Sequence, residues 1–188
     1  MTVPGPLPFG AQAPAGVRLL IDFVNTRPVV GRPDLLGDPA TASAYLRQCG
    51  LPEDVARLGK ATLRRARELR DALADVLGSD PGDPERLDGW QVVNDLAATT
   101  PLTVTFRSGP SAVLAPTNGE PHPIVGRLVA DVHAAIAADQ WTRLHLCAND
   151  ACRVAYYDAS RSRTQRWHSY ETCGNRVNVA AHRKRHTT

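Results

Sequence analysis

Residues 147–173 read CANDACRVAYYDASRSRTQRWHSYETC and contain three of the chain's four cysteines. Cys147 and Cys152 form a C-x4-C pair, and His168 precedes Cys173 at the same spacing. Two short-spaced pairs of thiol or imidazole donors are typical of a tetrahedral structural zinc site. The stretch therefore predicts one structural Zn²⁺ held by a Cys3His set.

The alternative interpretation of these cysteines is that they are buried or redox-active thiols. Scattered cysteines in a protein without a secretory context are often small buried hydrophobes. The run between the two pairs, however, is polar and rich in arginine, and it has few large aliphatic side chains that could bury the thiols. A small unit of this composition usually depends on a metal for its fold, so zinc is the favoured interpretation.

Several short motifs carry a resemblance to a known family. In the C-terminal part they are the C-x4-C pair, the Tyr157-Asp158 and Ser160-Arg161 pairs, Trp167 and the string Cys173-Gly174-Asn175-Arg176. This part resembles the CGNR zinc finger. Residues 20–26, LIDFVNT, resemble the opening signature of the ABATE domain, which precedes that finger in its family. The resemblance runs from about Val17 to about His186 and implies a candidate stress-induced transcription regulator.

The sequence departs from the family pattern at one ligand position. His168 stands where the family has a cysteine after the tryptophan, and imidazole is an ordinary zinc ligand. The substitution leaves the fourth ligand open to three other histidines, which are His145, His182 and His186.

The charge of the chain is distributed unevenly. Residues 1–140 contain 13 Lys+Arg and 16 Asp+Glu, a net of −3, whereas residues 141–188 contain 9 and 3, a net of +6. A basic module on a mildly acidic body is typical of a polyanion-binding protein, the alternative being a solvated basic tail. The N-terminal residues lack a signal-peptide pattern, and we expect a cytoplasmic protein whose thiols stay reduced.

Hydrophobic periodicity and turn residues predict an α+β fold with a mostly helical N-terminal domain and a small β-hairpin. The apolar segment 17–24 is too short for its periodicity to decide between strand and helix. The predicted helices cover residues 39–49, 51–58, 60–77, 84–98 and 123–138, and the hairpin strands cover 103–106 and 112–115 around Ser108-Gly109-Pro110.

Three segments make up the predicted domain organisation. They are a flexible or loosely docked segment at 1–16, an ABATE-like regulatory domain at 17–140 and a CGNR-type finger at 141–188. Within the regulatory domain, the family resemblance singles out Asp22 and Asn25. These side chains either contribute to a ligand pocket or, as we favour, make local backbone hydrogen bonds.

The finger is predicted to be treble-clef-like, with the first ligand pair on a knuckle between two strands and a basic helix after the second. Asn175 is a candidate N-cap for a helix over residues 176–186. Trp167, Tyr156 and Tyr157 either stack on bases or, as we favour, shield the zinc. The predicted nucleic-acid contacts are the basic residues Arg161, Arg163, Arg166, Arg176, Arg183, Lys184 and Arg185.

These observations favour a DNA-binding transcription regulator. The alternatives are an RNA-binding or protein-interaction adaptor and a zinc-thiolate redox sensor, and a homodimer remains open. We predict that the protein is not an enzyme, because four protein ligands leave no open position on zinc and no nucleophile and base stand out.

Overall fold

The structure is a computed structural model that describes residues 3–80, 82–107, 111–117 and 121–179. It confirms the predicted α+β class. The helices are α1 (Ala15–Val24), α2 (Pro39–Gln48), α3 (Glu53–Ala56), α4 (Lys60–Gly78), α5 (Pro84–Ala98) and α6 (Pro123–Ala137). The strands are β1 (Leu102–Arg107), β2 (Ser111–Pro116), β3 (Leu144–Leu146) and β4 (Ala155–Tyr157). Short 3₁₀ turns occupy Pro8–Gly10 and Trp141–Arg143, and a π-helical turn at Tyr170–Gly174 leads into helical residues 175–179.

Helix α1 lies at the centre of the molecule. It contains the apolar segment that periodicity could not assign, and it packs against α4, α6 and β4. From Leu19 to Val24 every residue is buried, including Asp22. Within the segment 17–24 only Arg18 is exposed, as expected for a helix that lies inside a core.

Helix α2 begins and ends as its sequence predicts. The Asp38 carboxylate accepts hydrogen bonds from the backbone N–H groups of Ala40 and Thr41, both at 3.0 Å. Pro39 occupies the first helical position. Gly50 follows the helix with a φ of +85°, a conformation that favours glycine.

Helices α4 and α5 pack closely because of Gly89. A Cβ at Gly89 would lie 2.9 Å from the carbonyl oxygen of Ala72 on α4. Two predictions from the sequence spacing of this pair are wrong. Leu87 shares the apolar spacing of Trp90 and Val93, which predicts a core position, but it is 60% exposed. The i,i+4 spacing of Arg67 and Asp71 predicts an ion pair. Asp71 accepts instead from Arg70, whose Nη1 also lies 2.6 Å from Asp34 Oδ1.

The predicted hairpin forms an antiparallel pair with Leu102 opposite Pro116 and Arg107 opposite Ser111. Its predicted turn at 108–110 lies outside the described residues. The hairpin packs on α6, which has apolar residues at every fourth position from Ile124 to Ile136. Ile124, Leu128 and Val132 are buried, whereas Ile136 is exposed. None of the helices in the described ranges is long and apolar enough to cross a membrane.

The β3–β4 hairpin joins the C-terminal part to the main core. Leu144 lies opposite Tyr157, and Leu146 opposite Ala155. Leu144, Leu146 and Ala155 belong to the same buried cluster as the residues of α1, α4 and α6. The strands that lead to and from the first ligand pair are therefore held by the helical body.

Candidate metal centre

Cys147, Cys152, His168 and Cys173 come together, with one ligand atom from each lying within 4.8 Å of the others. The three cysteines are buried and His168 is half-buried. Zinc–sulfur bonds of about 2.3 Å in a tetrahedron place the sulfurs about 3.8 Å apart, so small shifts suffice to bind the ion. The donor set and its geometry fit one structural zinc ion, as predicted.

A tight turn presents the first two thiols. The backbone N–H of Cys147 donates to the Val154 carbonyl at 2.8 Å. Within the turn, the Asn149 carbonyl accepts from the N–H groups of Cys152 at 2.8 Å and Arg153 at 3.0 Å. Arg153 has a φ of +49°, which reverses the chain into β4. This is the predicted knuckle between two strands.

The second ligand pair straddles the start of a helix. Ser169 is extended, with φ −148°, and its Oγ accepts from the Thr172 N–H at 3.2 Å. The Cys173 N–H donates to the Ser169 carbonyl at 3.0 Å. Cys173 therefore lies within the first helical turn. The prediction that Asn175 is the N-cap is wrong, because Asn175 is already helical and its Nδ2 donates to the Glu171 carbonyl at 3.2 Å.

Gly174 allows two aromatic rings to pack against the helix. A Cβ at this position would lie 2.7 Å from Cδ2 of Tyr170 and 3.1 Å from Cε3 of Trp167. The glycine therefore leaves room for the ring of Tyr170 and for that of Trp167, which packs against the cysteine cluster.

Aromatic side chains shield the thiols from water. Tyr156 is buried in one cluster with the three cysteine ligands, and Trp167 packs against that cluster. The Tyr156 hydroxyl donates to the Gln165 carbonyl. The ring of Phe9 lies 4.4 Å from that of His168, which brings the N-terminal segment against the site instead of leaving it free. The shielding interpretation is favoured by these contacts.

The thiols differ in their electrostatic surroundings. In the metal-free protein, burial raises the pKa of Cys147, and it raises the pKa of Cys152 to about 12. Burial acts in the same direction on Cys173, but hydrogen bonds from Asn149 and the neighbouring thiols outweigh it and lower the pKa of Cys173. Zinc binds thiolates, so metal binding must release protons from this cluster.

The structure brings His168, and not His145, to the cysteines. Nδ1 of His168 lies 3.4 Å from Sγ of Cys152. His145 lies on β3, where its ring packs against Tyr156 with centroids 5.8 Å apart. The other two competing histidines, His182 and His186, lie outside the described residues.

The predicted nucleic-acid residues fall into three groups. Arg161, Arg166 and Arg176 are exposed, the first two on the segment between the ligand pairs and the third just after Cys173. Arg163 already makes hydrogen bonds within the protein, because its Nη1 lies 2.6 Å from Asp139 Oδ2 and 2.9 Å from Thr142 Oγ1. Arg183, Lys184 and Arg185 lie outside the described part of the chain.

Asp158 organises the arginine loop, which we define as residues 159–166. Asp158 is fully buried, and its two carboxylate oxygens accept from the N–H groups of Ser160 at 2.7 Å and Gln165 at 2.9 Å. Burial opposes ionisation, but these hydrogen bonds outweigh it and lower the pKa of Asp158. Arg143 also braces the loop, since its Nη1 donates to the carbonyls of Asp158 and Ser160. The sequence analysis did not predict these roles of Asp158 and Arg143. The position of Asp158, directly after a strand and before a polar loop, could have indicated an acceptor for the N–H groups of that loop.

Asn25 and Asp22 do not make the local side-chain bonds that were expected. The amide of Asn25 binds the backbone of Ala155 on β4. Asp22 lies 3.8 Å from Arg18 Nε, and its Oδ1 is buried without a hydrogen-bond partner among the described residues. Burial raises the pKa of Asp22 to about 6, against the opposing positive charges of Arg18 and Arg32.

Fold and site together define an α+β protein with a structural zinc centre built onto a helical body. Comparison with protein families makes this assignment specific. The CGNR zinc finger model matches residues 143–186, and the ABATE model, described as "Putative stress-induced transcription regulator", matches residues 17–155. Because the second match spans most of the chain, the protein belongs to the ABATE family. No curated protein matches the chain.

Proposed function

We propose that the protein is a DNA-binding transcription regulator whose finger supplies the contact surface. The observation that carries the proposal is that Arg161, Arg166 and Arg176 are exposed on the same segments that bring the four metal ligands together. Guanidinium groups on a fixed support are suited to phosphate contacts. The net charge of +6 over residues 141–188 and the family description support the same interpretation.

The zinc would serve as a structural ion. Its four protein ligands would fix the loop and the helix that carry the arginines, and would leave no open position for a substrate. The proposal therefore includes no catalytic step at the metal. It places the protein in the cytoplasm, where thiols stay reduced and stress signals could reach the body of the regulator.

A salt-dependent titration with duplex DNA tests this proposal. If about six basic residues contact phosphates, the logarithm of affinity falls against the logarithm of salt concentration with a slope of about −5. Neutralising the exposed pair as Arg161→Ala/Arg176→Ala should weaken binding and flatten the slope. A matched pair on the body, Arg57→Ala/Arg64→Ala, should leave the slope unchanged. Affinity that does not respond to salt would refute DNA binding through these residues.

A cleft beside the metal centre favours a zinc-thiolate redox sensor as a second candidate. The cleft has a volume of about 660 Å³ and is lined by Cys152, His168 and Cys173. Hydrogen peroxide that entered it could oxidise two thiolates to a disulfide, with reduction of the peroxide to water and release of Zn²⁺. The test measures zinc release with a chromogenic chelator during mild peroxide treatment. Full zinc occupancy after treatment would exclude this function.

A further inference from the structure

A second cavity, of about 480 Å³, lies where the turn between α4 and α5 meets the finger. One wall is the end of α4 with Arg86 of α5, and the other is β3 with the arginine loop. Among the described residues, four arginines line it, and Asp80 is the only acidic one. We call this cavity the arginine notch, and its basic residues are Arg86, Arg153, Arg163 and Arg166.

The arginines of the notch are held in place by the protein. Arg86 Nη1 donates to the Ser79 carbonyl at 2.8 Å. Arg163 is fixed by Asp139 and Thr142, and the guanidinium of Arg166 lies 5.4 Å from the ring centre of Trp167. Each guanidinium has several N–H donors, so these contacts leave donors for a ligand.

Arg153 reaches from the finger to the body. Its guanidinium lies over Gly78 at the C-terminal end of α4, where a Cβ would displace it. That end of a helix carries a partial negative charge, so a cation is favourable there. The guanidinium of Arg153 thus connects the two walls of the notch.

The lining of the notch also includes a histidine whose ring nitrogen lacks a hydrogen-bond partner among the described residues. His145 is part of its lining, and Nε2 of His145 is buried without a hydrogen-bond partner in the described ranges. A buried nitrogen that lacks a partner is unfavourable unless a ligand or water completes it.

We propose that the arginine notch binds a backbone phosphate of the duplex that the finger contacts, so that Arg86 of the body is a DNA contact. The inference rests on the proposed function and extends it from the finger to the body. Residues 1–140 carry a net charge of −3, so the body as a whole does not attract DNA. An arginine-lined wall at the junction with the finger is the place where the backbone could pass along the body.

The test is a fluorescence anisotropy titration of a labelled duplex of mixed sequence over a series of NaCl concentrations. Removing one phosphate contact in Arg86→Ala should weaken binding about 3- to 10-fold and make the salt slope shallower by about 0.9. Arg86→Lys should retain the slope, whereas Arg86→Glu should weaken binding further. The matched control is Arg64→Ala, an exposed position on α4 about 21 Å from Gly78 along the helix.

The outcomes separate this inference from the proposed function. The notch proposal fails if Arg86→Ala has the same DNA affinity and salt slope as the control Arg64→Ala. If Arg161→Ala/Arg176→Ala still impairs binding in that case, the proposal that the finger binds DNA stands. If the wild-type protein binds no duplex, both fail. Zinc content and thermal unfolding of each variant establish that a lost contact is not a lost fold, and the retained slope of Arg86→Lys provides a second check.

Discussion

The side-chain amide of Asn25 pairs with the backbone of Ala155, 130 residues further along the chain: Nδ2 donates to the Ala155 carbonyl at 2.9 Å, and the Ala155 N–H donates to Oδ1 at 2.7 Å. Both residues are fully buried. Asn25 thus completes the hydrogen bonding of β4 as a neighbouring strand would. Nearby, Arg27 Nη2 donates to the Arg153 carbonyl at 2.9 Å. The end of α1 therefore fastens the strand that follows the zinc knuckle to the helical body.

Replacing Asn25 should destabilise the whole protein. Asn25→Ala leaves the N–H and C=O of Ala155 buried without partners, and each unsatisfied group costs about 1–3 kcal/mol. We expect a loss of about 2–5 kcal/mol in the free energy of unfolding, measured by urea denaturation. Asn94→Ala, on the exposed face of α5, should change it by less than about 0.5 kcal/mol. Equal stability of the two variants would contradict a docking role for Asn25.

Removal of zinc should unfold the segment that carries the second ligand pair. Structural zinc sites contribute about 10–16 kcal/mol of binding free energy, and the arginine loop and residues 170–179 have little other core. Strands β3 and β4 should persist, because Leu144, Leu146 and Ala155 pack in the main core. NMR spectra before and after chelation should lose dispersed signals for residues 159–179 and keep those of α1 and α4. Dispersed signals from the finger after complete chelation would show that metal is dispensable for its fold.

Zinc content should depend on His168 and not on His145. His168→Ala removes one of the four donors and should lose or weaken zinc binding, while His168→Cys should retain it as a four-thiolate site. His145→Ala is the matched control, because His145 lies outside the ligand cluster. Mass spectrometry under native conditions measures the zinc per chain. Full retention in His168→Ala would assign the fourth ligand to another histidine, such as His182.

Asp22 should make the stability of the body depend on pH. Burial raises its folded-state pKa to about 6, above the ordinary value of 3.8. The stability that a protonated Asp22 gives the folded state is fully present below the unfolded-state pKa of 3.8. It is lost as pH rises through the folded-state pKa of about 6, where the buried carboxyl group ionises. Asp22→Asn should gain about 1–3 kcal/mol relative to wild type between pH 5 and pH 7. Chemical denaturation at both pH values measures this change.

The control for Asp22→Asn is Asp88→Asn, which removes an exposed carboxylate and so matches the change in net charge. Its difference from wild type should be nearly the same at both pH values. A constant difference for Asp22→Asn as well would mean that Asp22 is already ionised at pH 5, so that its folded-state pKa is not raised.

Local signals in the sequence predicted the zinc donors and most of the helix boundaries. The ligand spacing, the Asp38 cap and Gly50 each act within a few residues, so one stretch of sequence contains both partners. Asn25 could not be paired with Ala155 in this way, because no local pattern indicates which distant strand edge needs an amide. The N-cap was misplaced for a related reason: Ser169 and Asn175 are both good capping residues, and the structure uses Ser169, which places Cys173 inside the helix.

Asp158 allows the net charge of the finger to be separated from the ordering of the arginine loop, because the two predict opposite changes in DNA affinity. Asp158→Ala removes a negative charge from the finger, which by itself should strengthen binding to DNA. It also removes the acceptors for Ser160 and Gln165, which hold the arginine loop. If that loop is preorganised for phosphates, Asp158→Ala should bind duplex DNA more weakly than wild type at equal zinc content.

The control is Asp150→Ala, which makes the same charge change at an exposed position of the finger and should bind equally or more tightly. Parallel anisotropy titrations compare the two variants, and tighter binding by both would show that net charge, not the geometry of the loop, governs the interaction.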